Sequence, residues 1–403
     1  MCGGHPGLRV RGVGLADWRS RVHGFDDGGR VESWAWRHRR TLWSVGGVLA
    51  VLVVLGLSVR APVEQWWLAR QACGGELPAD DLEIVRKGVL LDSNEQSFDA
   101  EAGRYACVLR SDQGTVVVAV DASSRGPERE VPYAWSAYMP YAALPDGLPG
   151  FENNNSLVHL MPECPGRAEG GERHRLLVST WTYLASSRAE KAAMLRLAVR
   201  MTNEMTEKLG CGGEPLPAPQ EGAVPEQGAY VPRAQAEGTA CGSLTTARVP
   251  GAGPDGVVQM AVADGGLVGR CTLHAPGDGH GNRADRGRPL VELTSWRGEW
   301  AGEMREMYHH VRTPSSGLNR GATWEPELTD HRAWAVARCE DENVGYAAWD
   351  YESPYREEGE DAEPRTEAQK REWRERLRGY VTAFAEDQVR RGGCTDLRVP
   401  PAP

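Results

Sequence analysis

The sequence contains few lysines and none of the short motifs that mark common catalytic sites. Lysine occurs only at Lys87, Lys191, Lys208 and Lys370, so arginine supplies nearly all of the 46 positive charges. We read this bias as the codon usage of a GC-rich genome, without functional content. No Walker loop, HExxH, GxSxG or SxxK motif occurs in the chain. The chain therefore carries neither the P-loop signature nor the commonest hydrolase signatures.

A glycine-rich match is present, but its context is wrong for a nucleotide site. Residues Gly251–Gly256 fit GxGxxG letter for letter. A dinucleotide-binding fingerprint follows a strand and opens a helix, whereas this stretch precedes the strand-like residues Val257–Met260. Pro254 also favours a turn. We therefore predict a loop here, and we predict no cofactor for the protein.

Negative charge exceeds positive charge in the larger part of the chain. The net charge is -10, although residues 1–40 carry eight arginines against four acidic residues. The apolar run Thr41–Val59 is uncharged, so the residues after it must sum to -14. Nucleic-acid binding needs a basic face that displaces counterions. An acidic outer portion argues against a nucleic-acid partner and against adhesion to anionic lipid.

The apolar run Thr41–Val59 has the length of a membrane span. At ~1.5 Å per residue it covers roughly 28 Å, close to the ~30 Å hydrocarbon core of a bilayer. Arg37, Arg39 and Arg40 precede it and only Arg60 follows closely. The positive-inside rule then puts the N-terminus in the cytoplasm and the remaining chain outside. We therefore predict a transmembrane helix that acts as an uncleaved signal-anchor.

Three other interpretations of this segment fit less well. A cleaved signal peptide needs a small-x-small site, and residues 59–62 read Val-Arg-Ala-Pro. Acylation of Cys73 needs a lipobox, whereas residues 70–72 read Arg-Gln-Ala well past the apolar run. Residues 39–42 weakly resemble a twin-arginine signal, but the core that follows is more apolar than such signals usually are.

Closely spaced cysteine pairs are missing as well, which weighs against zinc. No Cys-x-x-Cys occurs, and beyond the apolar run eight cysteines form two sets of four: Cys73, Cys107, Cys164 and Cys211, then Cys241, Cys271, Cys339 and Cys394. Outside the cytoplasm, an even number of cysteines predicts disulfides. Of the three pairings open to each set, we favour first with fourth and second with third: Cys73–Cys211, Cys107–Cys164, Cys241–Cys394 and Cys271–Cys339.

The two cysteine sets sit in the same order of predicted elements, which indicates one domain duplicated. Each set has a strand pair around its second cysteine and strands on either side of its third. The predicted strands are 104–109, 115–120, 157–161 and 176–183 in the first copy, and 267–273, 290–296, 333–337 and 344–349 in the second. Ser187–Glu190 and Thr366–Gln369 each match a capping box ahead of a long amphipathic helix.

These patterns predict an α+β fold with a defined order of segments. An N-terminal transmembrane helix precedes two small domains, each an antiparallel sheet with one C-terminal covering helix, stapled by disulfides. The predicted segments are a disordered, arginine-rich cytoplasmic part at 1–40, the membrane helix at 41–59, the first repeat at 60–219, a linker at 220–236 and the second repeat at 237–403.

One histidine-bearing loop is the best candidate for a metal or substrate site. It contains His274, Asp278, His280 and Asp285. The spacing matches a calcium loop only in part, because Arg283 occupies the position where glycine should make the sharp bend. A solvated insertion between two strands fits the same residues, so we assign no metal site.

The start of the first copy reads Cys-Gly-Gly-Glu-Leu-Pro over residues 73–78. In this stretch, the apolar run and the arginine bias, the chain resembles uncharacterised single-pass envelope proteins of high-GC actinobacteria. The resemblance extends from Thr41 onward. It implies only a location at the cell membrane, because that group has no established activity that could be transferred to residues of this chain.

Duplication without a catalytic motif favours a non-enzymatic role. We expect a membrane-anchored envelope protein that presents two domains for binding or scaffolding. Its expected partners are the membrane, through one helix, and an envelope protein or cell-wall ligand. A rival hypothesis is an envelope hydrolase with a site between the repeats, in which His159 or His174 meets carboxylates distant in sequence. Another is a single-pass sensor whose residues 1–40 contact a cytoplasmic partner.

Overall fold

The computed structural model describes residues 43–44, 62–124, 140–153, 156–167, 174–183, 185–261, 266–277, 287–298, 324–330, 332–340, 342–351 and 366–403. The chain divides into two compact units, residues 1–64 and 65–403. Both β-sheets belong to the second unit, so the description that follows concerns that unit.

The first sheet is antiparallel, with its strands in the order β1-β2-β3-β7-β6-β5-β4-β8. Its strands are β1 (Leu91–Asp99), β2 (Arg104–Ser111), β3 (Val116–Ser123), β4 (Ala142–Ala143), β5 (Gly150–Glu152), β6 (Leu157–Leu160), β7 (Leu177–Thr182) and β8 (Glu226–Gln227). Three helices accompany it: α1 over 62–71, α2 (Ala79–Arg86) and α3 (Arg188–Lys208).

Helix α3 covers one face of the first sheet. It begins where the sequence predicts, with Ser187 and Glu190 forming a capping box, which satisfies amide groups that the first turn leaves without partners. Its apolar residues recur at helical spacing, and Leu195, Ala198 and Met201 are fully buried in the core that helix and sheet share. Burial of this face, rather than helix propensity, stabilises the helix.

The second sheet is also antiparallel, in the order β9-β10-β11-β12-β15-β14-β13, with β16 paired to β14. Its strands are β9 (Ala229–Pro232), β10 (Val257–Ala261), β11 (Val268–His274), β12 (Pro289–Arg297), β13 (Glu327–Leu328), β14 (Arg332–Cys339), β15 (Glu342–Asp350) and β16 (Thr395–Arg398). Its helices are the short α4 (Ser243–Thr246) and α5 (Glu367–Gly392), which Thr366 and Gln369 cap. Residues Gly251–Gly256 form turns ahead of β10, as the sequence predicts.

The same arrangement of five strands occurs in both sheets. The order β1-β2-β3-β7-β6 in the first corresponds to β10-β11-β12-β15-β14 in the second. The register agrees too, because Cys107 lies opposite Val120 and Cys271 lies opposite Leu293. Trp-Thr-Tyr at 181–183 and Trp-Asp-Tyr at 349–351 end the two corresponding strands β7 and β15. We call these five-stranded arrangements, with their helices, the first and second copy.

Each disulfide joins successive cysteines, so the favoured pairing of first with fourth and second with third is wrong. The bridges are Cys73–Cys107, Cys164–Cys211, Cys241–Cys271 and Cys339–Cys394. The reason lies in the sheet order. Strands β3 and β7 separate β2, which carries Cys107, from β6, which precedes Cys164. Three strand spacings are ~14 Å, whereas a disulfide needs Cα atoms about 4.4–6.8 Å apart.

The predicted fold class needs correction in three respects. Within the described residues, no helix is both long and apolar enough to cross a bilayer. Of the predicted span 41–59, only Trp43 and Ser44 are among those residues. The first sheet also has more than one helix, since α2 and α3 both pack into its core. Finally, both sheets lie in one compact unit, and strands β8 and β9 fall within residues 220–236; the predicted segment bounds stay a prediction.

A third hydrophobic cluster explains why the two sheets form a single unit. The face of each sheet away from its long helix also carries buried apolar side chains. Phe151 and Leu177 of the first sheet share a cluster with Trp296 and Val336 of the second. The rings of Phe151 and Trp296 meet edge to face, with centroids 5.8 Å apart. Each sheet therefore covers part of the other, in addition to burying its helix.

Candidate binding site on the inner face of the second sheet

The second sheet has an inner face that is more polar than a sheet core usually is. Successive side chains of a strand point to opposite faces. In β11, Cys271 and Leu273 join the core under α5, so Arg270 and Thr272 point the other way. In β12, Leu293 faces that same core, and its neighbour Glu292 points away from it. We call the surface that carries Arg270, Thr272 and Glu292 the inner face.

The centre of the inner face is a buried carboxylate held by two partners. Glu292 is 3% exposed. One of its oxygens, Oε2, accepts hydrogen bonds from Arg270 Nε at 2.8 Å and Nη2 at 2.5 Å. The Tyr351 hydroxyl donates to the same oxygen at 2.7 Å. A buried charge is costly unless it is paired and hydrogen-bonded, and these contacts neutralise Glu292 and fix its orientation.

Polar and aromatic residues occupy directly paired positions on the neighbouring strands, so they form a row across the sheet on both sides of Glu292. Thr272 lies opposite Glu292 on one side, and Trp349 lies opposite it on the other. Gln259 continues the row beyond Thr272, and Arg332 continues it beyond Trp349. The complete row, which we call the polar row, is Tyr230, Gln259, Thr272, Glu292, Trp349 and Arg332.

Several buried polar atoms on the inner face have no hydrogen-bond partner within the described part of the chain. They are Gln259 Nε2, Thr272 Oγ1 and Thr294 Oγ1. The three residues are between 1% and 4% exposed. Leaving a buried donor or acceptor unsatisfied costs about 1–3 kcal/mol. Ordered water completes such groups in many protein interiors, and all three atoms lie on the same surface.

Trp334 and Trp349 shape a cleft beside the Glu292 carboxylate. The Trp334 ring lies over Gly345, where an added Cβ would come within 2.1 Å of the ring. Glycine at that position therefore lets the ring lie against the sheet. The cleft has a volume of about 10 Å³, roughly the space of one water molecule, and is lined by Glu292, Thr294, Arg332, Trp334, Ala347, Ala348 and Trp349.

The corresponding surface of the first copy lacks this chemistry. Because Cys107 and Cys271 occupy equivalent positions, their neighbours Ala106 and Arg270 are equivalent as well. By the same register, Ala119 stands where the second copy has Glu292. The buried ion pair is thus a property of the second copy alone, although the strands that carry it are common to both.

The predicted metal loop is only partly described. Asp278, His280 and Asp285 lie outside the described residues. His274 is 8% exposed and ends strand β11. Its Nδ1 lies 3.3 Å from the Gly287 carbonyl oxygen, and its ring lies tilted against that of Tyr230, with centroids 5.6 Å apart. Across the described ranges, no group of three or more His, Cys, Asp or Glu residues could hold a metal ion.

Of the two histidines of the hydrolase hypothesis, His159 is inaccessible and His174 is partly exposed. His159 is fully buried, with Nδ1 2.8 Å from the Ser179 hydroxyl and its ring against Phe151. A nucleophile or general base must reach its substrate, and His159 has no exposed surface. The His174 carbonyl oxygen accepts a hydrogen bond from the backbone amide of Cys164. This backbone contact holds the chain at His174 beside Cys164, which forms a disulfide with Cys211.

Sequence reasoning missed the inner face, although the signal was present. Arg270 falls within the predicted strand 267–273, and Glu292 falls within 290–296. A strand that is apolar on one face and carries a single charge on the other suggests a solvated outer surface. The structure instead buries that second face, because the first sheet packs against part of it. The opposite charges of Arg270 and Glu292, on predicted strands that follow one another, were the signal that could have identified it.

No family model matches the chain, and neither a curated protein nor a solved structure matches it.

Proposed function

We propose that the protein is an extracytoplasmic binding protein of the cell envelope, with a role in binding or scaffolding rather than catalysis. The single observation that carries the location is the set of four disulfides, repeated in the same pattern in both copies. Disulfides persist in oxidising compartments and are rare in the cytosol. Seven of the eight bonded cysteines are at most 1% exposed, as is typical of structural bridges.

The inner face of the second sheet supports a binding role. Its partly exposed side chains, Tyr230, Trp349 and Arg332, place aromatic surface and a charged group around the fixed Glu292 carboxylate, and such groups give a binding surface its specificity. The carboxylate of this surface, Glu292, accepts hydrogen bonds from Arg270 and Tyr351, which hold it in place. That arrangement favours recognition of a ligand over proton transfer to one.

Cosedimentation with cell envelopes would test the binding role. The full-length chain, purified without reductant, is mixed with envelopes from its own cells and pelleted. We expect it to pellet with the envelopes in a saturable manner. The control is the same chain after reduction and alkylation of its cysteines, which should remain in the supernatant. A native chain that stays in the supernatant at every envelope concentration would refute the proposal.

A further inference from the structure

We infer that the edge of strand β1 that faces away from β2 binds an extended, basic segment of another envelope protein by strand addition. The inference rests on the proposed binding function and names its site and the chemistry of its partner. Three observations carry it: the length and exposure of this edge, the strand that covers the equivalent edge in the second copy, and the charge of β1.

Strand β1 is the longest edge strand among the described residues. It has nine residues and pairs along one side with β2. The other strands at sheet edges, β8, β9, β13 and β16, have two to four residues. An edge presents unpaired N–H and C=O groups, so natural proteins keep edges short or cover them. A nine-residue edge is therefore well suited to pairing with a further strand.

Exposure is concentrated at the C-terminal end of β1. Residues 95–99 are all exposed, and the Phe98 side chain is 48% exposed. At the other end, the Gln65 side chain donates to the Leu91 carbonyl oxygen at 2.8 Å and accepts from the Leu91 amide at 2.7 Å. Gln65 thus closes the edge there as a neighbouring strand would. We call residues 95–99 the open edge.

The second copy shows what the equivalent edge accepts. Strand β10 corresponds to β1, and Gln96 and Met260 occupy the same position, opposite the second cysteine of their copies. Strand β9 covers the outer edge of β10 and pairs antiparallel with residues 257–260. These residues correspond to 93–96 of β1, which overlap the open edge. Within the described part of the chain, no strand covers β1 in this way.

The segment that supplies β9 has a different structure in the first copy. Strand β9 lies nine to twelve residues ahead of Cys241. At the same distance ahead of Cys73 lie residues 61–64, and 62–64 belong to helix α1. A helix cannot add to a sheet edge, because its backbone groups bond within the helix. The covering strand must therefore come from elsewhere, and strand addition to an exposed edge is a recurring mode of protein recognition.

The charge of β1 favours a basic partner. Residues 91–101 contain four acidic residues and no basic one. Glu95 and Asp99 share one face of the strand, since side chains alternate between faces. Arg110 lies 3.8 Å from Glu95 but leaves that side chain 67% exposed. Pairing with the same edge of a second copy would gather like charges, which is unfavourable. A strand with basic residues opposite Glu95 and Asp99 fits the edge better.

Fluorescence anisotropy with a labelled peptide tests the inference. The probe is the peptide Thr-Lys-Val-Thr-Val-Lys-Thr, whose lysines share one face of a strand and whose valines share the other. We expect saturable binding to the full-length chain. A peptide with glutamate in place of both lysines should bind about tenfold more weakly, because its charges repel those of β1.

Charge reversal on the chain should reverse this preference. With Glu95→Lys/Asp99→Lys, the glutamate peptide should bind more tightly than the lysine peptide. Both replaced residues are exposed, so the fold is retained. The matched control is Glu372→Lys/Glu375→Lys on α5, which changes the net charge equally at exposed positions and should leave the preference unchanged. Equal effects of the two double variants would overturn the inference.

Backbone methylation separates strand addition from attraction between charges alone. A strand pairs with one neighbour through the N–H groups of alternate residues. Two lysine peptides are therefore compared, one N-methylated on its even-numbered residues and the other on its odd-numbered residues, and only one should bind. Equal binding of both would overturn the inference, as would absence of binding by the unmethylated peptide.

The same preparation identifies any other occupant of the edge. A dimer of the unaltered chain in sedimentation velocity, abolished by Glu95→Lys/Asp99→Lys, would make a second copy the occupant and overturn the inference. Peptide binding only after removal of residues 1–40 would also overturn it, because that arginine-rich segment would be the occupant. If envelopes still pellet the chain in these cases, the proposed function stands without this site.

Discussion

At the scale of single residues, two glutamates near the start of helix α3 have opposite electrostatic environments. Glu152 is 2% exposed on β5, and its nearest cation is Lys191 at 3.5 Å. Burial raises the pKa of Glu152, and Lys191 offsets this only in part. For Glu190, burial acts to raise the pKa, but hydrogen bonds from Lys87 and the backbone amides of Ser186 and Ser187 outweigh it and lower the pKa to about 2.

Replacing Glu152 with glutamine should stabilise the protein at neutral pH. A carboxyl whose pKa is raised by folding contributes stability while protonated, and that stability is lost as pH rises through the folded-state pKa. Glutamine remains neutral and so avoids this loss. We expect a higher melting temperature for Glu152→Gln at pH 7, with the difference vanishing below the ordinary pKa of 4.5. Thermal unfolding followed by circular dichroism across pH measures it.

Glu190→Gln provides the matched control with the opposite sign. Because folding lowers this pKa, the carboxylate contributes stability above its unfolded-state pKa and loses it as pH falls toward about 2. Glu190→Gln should therefore melt at a lower temperature than the unaltered chain at pH 7. A shift of the same sign in both variants would contradict this account of the two environments.

At the scale of elements, the second disulfide of each copy fastens the end of the long helix to the sheet. Cys211 follows α3 and bonds Cys164 just past β6, while Cys394 follows α5 and bonds Cys339 at the end of β14. The four bridges differ in exposure. Cys394 is only partly buried, whereas the other seven bonded cysteines are almost entirely buried.

This difference predicts the order of reduction. Thiol–disulfide exchange requires access of the attacking thiolate to a sulfur atom. We expect Cys339–Cys394 to be reduced first under native conditions, because Cys394 is the most exposed of the eight bonded cysteines. Limited reduction with glutathione, trapping with maleimide and peptide mapping would detect it. Release of Cys73 or Cys241 before Cys394 would show that exposure in the folded state does not determine the order.

At the scale of the whole molecule, one buried ion pair joins the two sheets. Arg175, next to β7, donates from Nε to Glu342 Oε1 of β15 at 3.0 Å. Their side chains are 8% and 3% exposed. A buried ion pair adds little net stability over apolar packing, but removing one partner leaves an uncompensated charge. The pair therefore makes the contact between the copies sensitive to single substitutions.

Glu342→Ala should lower the free energy of unfolding by about 2 kcal/mol, since it removes the buried partner of Arg175 and leaves the more exposed Glu163 carboxylate, 3.5 Å from the guanidinium. The double variant Arg175→Met/Glu342→Met should recover most of that loss. Urea denaturation of each variant gives the measurement. Glu372→Ala, which removes an exposed pair with Arg376, is the control and should cost less than about 0.5 kcal/mol. The expected role of the buried pair would be contradicted if Glu342→Ala lowered the free energy of unfolding no more than Glu372→Ala does.

Much of each copy could be predicted from local pattern, whereas contacts between distant segments could not. Alternation located β2 and β11, and the capping boxes located the starts of α3 and α5, because these signals lie within a few residues. The disulfide pairing was mispredicted because it depends on strand order. The inner face was missed because its burial arises from packing of one sheet against the other, which no single strand encodes.

The successive pairing of cysteines also has a consequence for biogenesis. Each bridge closes between a cysteine and the next one along the chain, over separations of 34, 47, 30 and 55 residues. If the residues after the apolar run cross a membrane in chain order, the second cysteine of each pair emerges with its native partner as the one thiol still unoxidised ahead of it among the eight bonded cysteines. An oxidase acting on the emerging polypeptide would then generate the native set directly, and maturation should not depend on an isomerase.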